Sequence, residues 1–239
     1  MLSIMRIPLS AVCLAVSVRC FQTTDHRPSA CNDVTSVTFN GLYRDQVEAF
    51  LGIPYAQDTG GQHRFKPPRP YSFDNGSSIS AQSPGPACPQ ELGAQTLPLY
   101  LGNITEISED CLRLNVNRPN GTNAGDKLPV MVYIHGGSFY SSSKDDPTAQ
   151  PGGLILESVE NGHPVIHVAM NYRLGAFGFA ASEALGQEGS LNAGLLDQRL
   201  ALDWVKANIA TFGGDPDNIT IHGQSSGGGL GFMCLLCTR

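Results

Sequence analysis

The chain has 239 residues, with 15 Lys and Arg against 21 Asp and Glu and a formal charge of −6. That balance, with no run of basic residues, excludes nucleic acid and anionic membrane surfaces as expected partners. Charged residues are only 15% of the chain while 41% are apolar and 27 Gly and 16 Pro are present. This describes a folded, loop-rich chain, of a length that suits one α/β domain or part of a larger one.

At the N-terminus, residues 1–6 carry one positive charge and residues 7–18 form an apolar stretch, IPLSAVCLAVSV. It is shorter than the roughly 20 residues that span a bilayer and fits the core of a signal peptide. Ala15 and Ser17 have the small side chains and spacing of a cleavage site, and a cut after Cys20 is equally compatible. The expectation is a signal peptide over 1–20, a domain over 21–239 and an extracellular protein. No later segment reaches membrane-spanning length. Four Asn-x-Ser/Thr sequons, at Asn75, Asn103, Asn120 and Asn218, are glycosylation candidates in keeping with secretion. The seven cysteines are 13, 20, 31, 88, 111, 234 and 237, and a cut after Cys20 leaves an odd five.

From about Asp33 to Ala56, VTSVTFN and VEAFLGIPYA read as antiparallel strands joined by a turn at Gly41. Residues 57–110 are rich in Pro, Gly and Ser and read as long surface loops. Beyond Cys111 the pattern changes. LRLNV (112–116), LPVMVYIHGG (128–137) and PVIHVAMNY (164–172) are apolar, β-branched runs, with helical material between the last two. Such runs alternating with helices predict a mostly parallel sheet covered on both faces. The strongest helix is expected near 193–212, where Leu195, Leu202, Val205, Ile209 and Phe212 fall at helical spacing, flanked by Leu196, Leu200 and Trp204. Asn192 is placed to cap its start and Gly213 and Gly214 to stop it. A strand, NITIHG (218–223), follows, then the turn GQSSGG and a second apolar helical start.

Gly223-Gln224-Ser225-Ser226-Gly227 fits G-x-S-x-G between a strand and a helix, which is the context that gives the pattern meaning. A serine on so sharp a turn sits in a strained backbone conformation, and glycines on either side relieve the crowding. Ser225 is thereby a candidate nucleophile. Ninety residues earlier, His135-Gly136-Gly137-Ser138-Phe139 follows a strand directly. Consecutive glycines let backbone N–H groups approach a developing oxyanion closely. Gly136, Gly137 and Ser226, the residue after the nucleophile, are candidate oxyanion-hole donors.

With these motifs the chain resembles the type B carboxylesterases and lipases, the cholinesterase-like branch of the α/β-hydrolase fold. The resemblance rests on FLGIPYA (50–56), RFKPPRP (64–70), GPACPQ (85–90), SEDCLRLNV (108–116), HGGSF (135–139), NYRLGAFGF (171–179) and the run from 192 to 228. It covers about residues 33–230. It implies an α/β-hydrolase sheet with antiparallel N-terminal strands, and ester cleavage through an acyl-enzyme at Ser225 with no metal or organic cofactor. The substrate would be a small-molecule or lipid carboxylic ester.

The same resemblance implies a disulfide between Cys88 and Cys111, and bracing ion pairs between Arg64 and Glu109 and between Arg173 and Asp197. His135 belongs to the oxyanion loop and His222 lies three residues before Ser225 on a strand, so neither is expected as base. Family members supply the acid and the histidine of the triad from their second half, whereas 14 residues follow Ser225 here. The chain therefore reads as the N-terminal half of such a domain, inactive by itself. Gln224 and Ser226 stand where Glu and Ala are usual, and His222 replaces a usual aromatic. A non-catalytic binding or adhesion relative, or an inactive fragment, is the alternative expectation.

Overall fold

A computed structural model describes residues 27–94, 103–147, 150–229 and 231. The expected signal peptide and the closing CLLCTR lie outside these residues. The strands in chain order are β1 (Ser29–Cys31), β2 (Thr38–Asn40), β3 (Leu42–Arg44), β4 (Val47–Pro54), β5 (Ser78–Ser80), β6 (Gly93–Ala94), β7 (Asn103–Ile104), β8 (Arg113–Arg118), β9 (Leu128–Ile134), β10 (Ile166–Met170) and β11 (Gly214–Gly223). Among the described residues four α-helices lie between them, α1 (Gly152–Glu160), α2 (Gly175–Phe179), α3 (Glu183–Gln187) and α4 (Ala193–Asn208), and a further helix begins at residue 226 after β11.

The main sheet has six described strands in the order β11-β9-β10-β8-β4-β3. β9 pairs in parallel with both β10 and β11, while the N-terminal side, β3-β4-β8-β10, is antiparallel. β1, β2 and β5 form a separate small sheet.

The expected turn at Gly41 is corrected here, because β2 and β3 belong to different sheets. The hairpin is β3–β4, closed by Asp45 and Gln46 with φ of 48° and 63°. Two successive residues at positive φ give a tight turn whose twist matches that of the strands. Gly41 serves a different need: a Cβ there would lie 2.5 Å from the Ala49 carbonyl oxygen of β4.

Strand alternation sorts the sheet into two faces. Leu114, Val116, Val130, Val132, Ile134, Ile166, Val168 and Met170 enter one core with Trp204, Val205, Ile209 and Phe212 of the long helical segment. On the other side Ile155 of α1 is buried and lines a 250 Å³ cavity with Val47. On that side α1 packs near β4, while Met131 and Tyr133 of β9 are half-buried.

The helix predicted over 193–212 is α4 followed by a single 3-10 turn at Ile209–Phe212, and Gly213, at φ 88°, stops it. Two details differ from expectation. Asn192 makes no side-chain cap; it sits at φ 56° and its carbonyl accepts from Leu195 and Leu196. The deeply buried face runs through Ala193, Gly194, Asp197, Gln198, Ala201, Trp204 and Val205, leaving Leu195, Leu200 and Leu202 only partly buried. Asp197 turns that face inward. Its carboxylate accepts from the Arg173 backbone N–H at 3.0 Å and from guanidinium nitrogens at 2.8 and 2.6 Å. Burial pushes this carboxyl above its ordinary value, and Arg173 pulls it back.

Candidate active site

Ser225 stands at the end of β11, where the strand breaks into the helix that begins at residue 226. Its φ is 53°, in the left-handed region that a residue with a Cβ seldom occupies. Its side chain is exposed and accepts no described partner. The turn is locked by Gly227 N–H on the Gln224 carbonyl at 2.9 Å and Gly228 N–H on the Ser225 carbonyl at 3.0 Å.

The glycines of the motif are explained by space. A Cβ on Gly223 would lie 2.6 Å from the Gly227 carbonyl carbon, across the turn. One on Gly227 would overlap the Ile134 carbonyl oxygen and come within 2.6 Å of that of His135. The helix therefore rests directly on the end of β9. This is strain held by the surrounding structure at the point where a nucleophile must protrude.

β9 brings in the second motif. A Cβ on Gly136 would sit 2.7 Å from the Gln224 carbonyl oxygen and 3.1 Å from the Ser225 Cβ, so Gly136 is where the HGGSF loop touches the serine turn. Gly137, at φ 97°, leads into a tight loop in which Tyr140 and Ser141 N–H groups both donate to its carbonyl at 3.1 Å. Ser138 and Phe139 are also left-handed, at 53° and 69°. Among the described residues the N–H groups of Gly136, Gly137, Ser138 and Ser226 have no protein acceptor. Of the residues expected to supply oxyanion amides, Gly136 lies against the serine turn, Gly137 follows it in the chain and Ser226 follows Ser225.

His135 is 1% exposed; its ring stacks on Tyr172 at 4.4 Å, and the Tyr172 hydroxyl donates to its carbonyl at 2.9 Å. Burial lowers its pKa to about 4, so the ring is neutral at pH 7. His222 packs against Tyr133 and His167, with ring centroids 5.2 and 5.6 Å away. No described histidine bonds to Ser225.

The loop regions carry the bracing that was expected. Cys88 and Cys111 form a disulfide. Arg64 meets Glu109 through two hydrogen bonds at 2.7 and 2.5 Å. Neither pair lies at Ser225. Phe139, 42% exposed and edge-on to Phe179 at 5.4 Å, and Tyr140, 59% exposed, follow the glycines of the HGGSF loop. Of the sequon residues, Asn75, Asn120 and Asn218 are exposed, and the Asn103 side chain lies outside the described set. Among the described residues no group of three or more His, Cys, Asp or Glu is placed to hold a metal, and no helix is long and apolar enough to cross a membrane.

Comparison with known proteins agrees with this geometry. The carboxylesterase family model matches residues 35–238. A secreted lipase of Arthroderma benhamiae is 52% identical over 202 residues, covering 84% of this chain and 35% of the relative. An inactive carboxylesterase-like protein of Byssochlamys spectabilis is 48% identical with the same coverage, 84% and 35%. Lipase 5 of Diutina rugosa is 45% identical, covering 84% and 38%. Among solved structures, a thermophilic PNB esterase superposes with a TM-score of 0.74 at 38% identity, over 88% of this chain and 41% of that one. EstA of Aspergillus niger gives 0.71 at 39% identity, over 85% and 37%. The chain thus spans between 35% and 41% of the length of these relatives. With an α/β-hydrolase sheet, a serine elbow and a glycine loop held together, the chain belongs to the carboxylesterase family.

Proposed function

We propose that this chain is the nucleophile-bearing part of a secreted serine hydrolase of carboxylic esters. The single observation that carries the reading is the contact between two separately coded motifs. The strained, exposed Ser225 lies against Gly136, beside backbone N–H groups that lack acceptors. Ser225 Oγ would attack the ester carbonyl as its proton passes to a base. The tetrahedral oxyanion would be held by amides from Gly136, Gly137, Ser138 and Ser226; collapse then expels the alcohol and leaves an acyl-serine that water cleaves.

Gln224 and Ser226 do not disturb this scheme, since the backbone donates. No described histidine serves as base, so the base and its acid partner are expected outside the described residues. The resemblance to secreted lipases supports an extracellular location and an ester substrate with a lipid-like acyl group. Removal of 1–20 as a signal peptide and glycosylation at Asn75, Asn120 or Asn218 belong to the same reading.

A short-chain nitrophenyl ester tests it on two forms, residues 1–239 and a form extended to the relatives' length. Without a base, a serine site retains only about 10³–10⁴ over water. The extended form should therefore turn over far faster, with the activity abolished by Ser225→Ala. Equal rates in the extended form and its Ser225→Ala variant would reject the proposal. They would favour a non-catalytic role, which the similarity to an inactive carboxylesterase-like protein supports.

A further inference from the structure

The HGGSF loop is tied to the disulfide by one side chain. Gln90, two residues after Cys88, uses its amide three times: Oε1 accepts from the Ser142 N–H at 2.8 Å, and Nε2 donates to the carbonyls of Ser142 at 2.9 Å and Cys88 at 3.1 Å. Ser142 is almost buried and sits at φ 84°, a conformation that a non-glycine residue needs outside help to keep. One residue earlier, the Ser141 N–H and hydroxyl both close on the Gly137 carbonyl, at 3.1 and 3.2 Å. Residues 137–141 thus form one compact turn, with Gly137 at one end and the residue clamped by Gln90 just past the other.

We propose that Gln90 is a positioning residue for the oxyanion loop: its amide fixes Ser142, and through the 137–141 turn it sets where the Gly137 and Ser138 N–H groups stand relative to Ser225. The Cys88–Cys111 bond supplies the rigid footing. This rests on the reading of Ser225 and the loop as nucleophile and oxyanion hole. The far end of the loop has its own ties. Lys144 N–H donates to Asn171 Oδ1 at 2.9 Å, and its buried ammonium donates to the Pro84 carbonyl at 2.7 Å and pairs with Asp145. Loss of Gln90 should therefore loosen the front of the loop without releasing the whole.

The test compares Gln90→Leu, which removes all three hydrogen bonds at similar volume, with Gln90→Glu, which keeps the acceptor for Ser142 and loses both donated bonds. Two readouts are taken on a form extended to the relatives' length: amide hydrogen exchange across 136–142, and the rate at which a fluorophosphonate labels Ser225. In Gln90→Leu, exchange across 136–142 should rise about tenfold while α4 stays protected, and labelling should slow about tenfold. Gln90→Glu should fall between, with partial recovery at Ser142. Unchanged exchange in Gln90→Leu overturns the clamp. Faster exchange with undiminished labelling overturns the positioning role. If Gln90→Leu loses α4 protection as well, Gln90→Glu decides on the same criteria. A wild-type form extended to the relatives' length that never labels removes the nucleophile reading, while the exchange arms still decide whether Gln90 holds the loop.

Discussion

Replacing Asp197 by Asn keeps the shape of the side chain and removes the carboxylate that pairs with a guanidinium whose side chain is 3% exposed. In the native protein Asp197 accepts three hydrogen bonds from Arg173, while Arg173 gives one more to the Lys66 carbonyl at 2.8 Å. An amide can accept on one atom only, and its NH2 would face guanidinium N–H groups. Breaking one half of a buried pair costs about 3–5 kcal/mol, because the remaining charge is stranded. The pair itself is not a net source of that energy. Burial raises the Asp197 pKa more than Arg173 lowers it, so the carboxylate is disfavoured on folding. A raised carboxyl contributes most in acid and loses that contribution as pH rises through the folded value. Asp197→Leu combined with Arg173→Met should accordingly recover most of the stability lost in either single variant. Urea unfolding at pH 7, followed by fluorescence of Trp204, measures all of these. A loss below about 1 kcal/mol in Asp197→Asn would refute the reasoning.

Removing the Cys88–Cys111 bond by a double Ala substitution should lower stability by about 3 kcal/mol, given the 23-residue separation of the two cysteines, and the same urea titration reads it. His167 is 3% exposed, and burial holds its pKa at about 3, with His222 adding to the shift; His135 is held at about 4. Both rings are neutral when folded and charge more readily when unfolded, so stability is full above pH 6.5 and lost as pH falls from there toward 4 for His135 and toward 3 for His167. Each such ring contributes up to about 1.4 kcal/mol per pH unit. His167→Val should flatten the slope between pH 6.5 and 5 by up to that amount, and an unaltered slope would contradict the assignment. Choline esters should be cleaved no faster than uncharged isosteres in a steady-state comparison. The aromatic best suited to a quaternary ammonium is Trp, and the single Trp204 is 8% exposed within the core against Phe212.

What the sequence made legible was whatever local chemistry dictates. The three apolar runs became β8, β9 and β10, and the serine turn was legible because only glycines fit at 223 and 227. The bracing pairs Arg64–Glu109 and Arg173–Asp197 and the disulfide came from the family resemblance. Non-local facts were harder to read. Nothing in VTSVTFN announces that β2 leaves the main sheet, because strand partners far apart in sequence decide that. Nor does helical periodicity reveal that Asp197 and Gln198 lie inward; the apolar count favoured Leu195 and Leu202, and Arg173, far away in sequence, turned the helix. Gln90 closes the GPACPQ segment that helps carry the resemblance, but that segment does not disclose its role, which follows only from where Ser142 comes to rest.

The most direct measurement of the central claim is peptide mapping after treatment with a fluorophosphonate, on the chain and on a form extended to the relatives' length. The serine oxygen displaces fluoride, its proton passing to a base or to solvent, and a phosphonyl adduct remains on the attacking residue. The account predicts a single adduct, on the peptide that carries Ser225, formed faster in the extended form. It also predicts no adduct in Ser225→Ala and an undiminished one in Ser226→Ala, whose contribution is a backbone N–H. A folded, extended protein that takes no adduct, or takes it at another residue, would contradict the account.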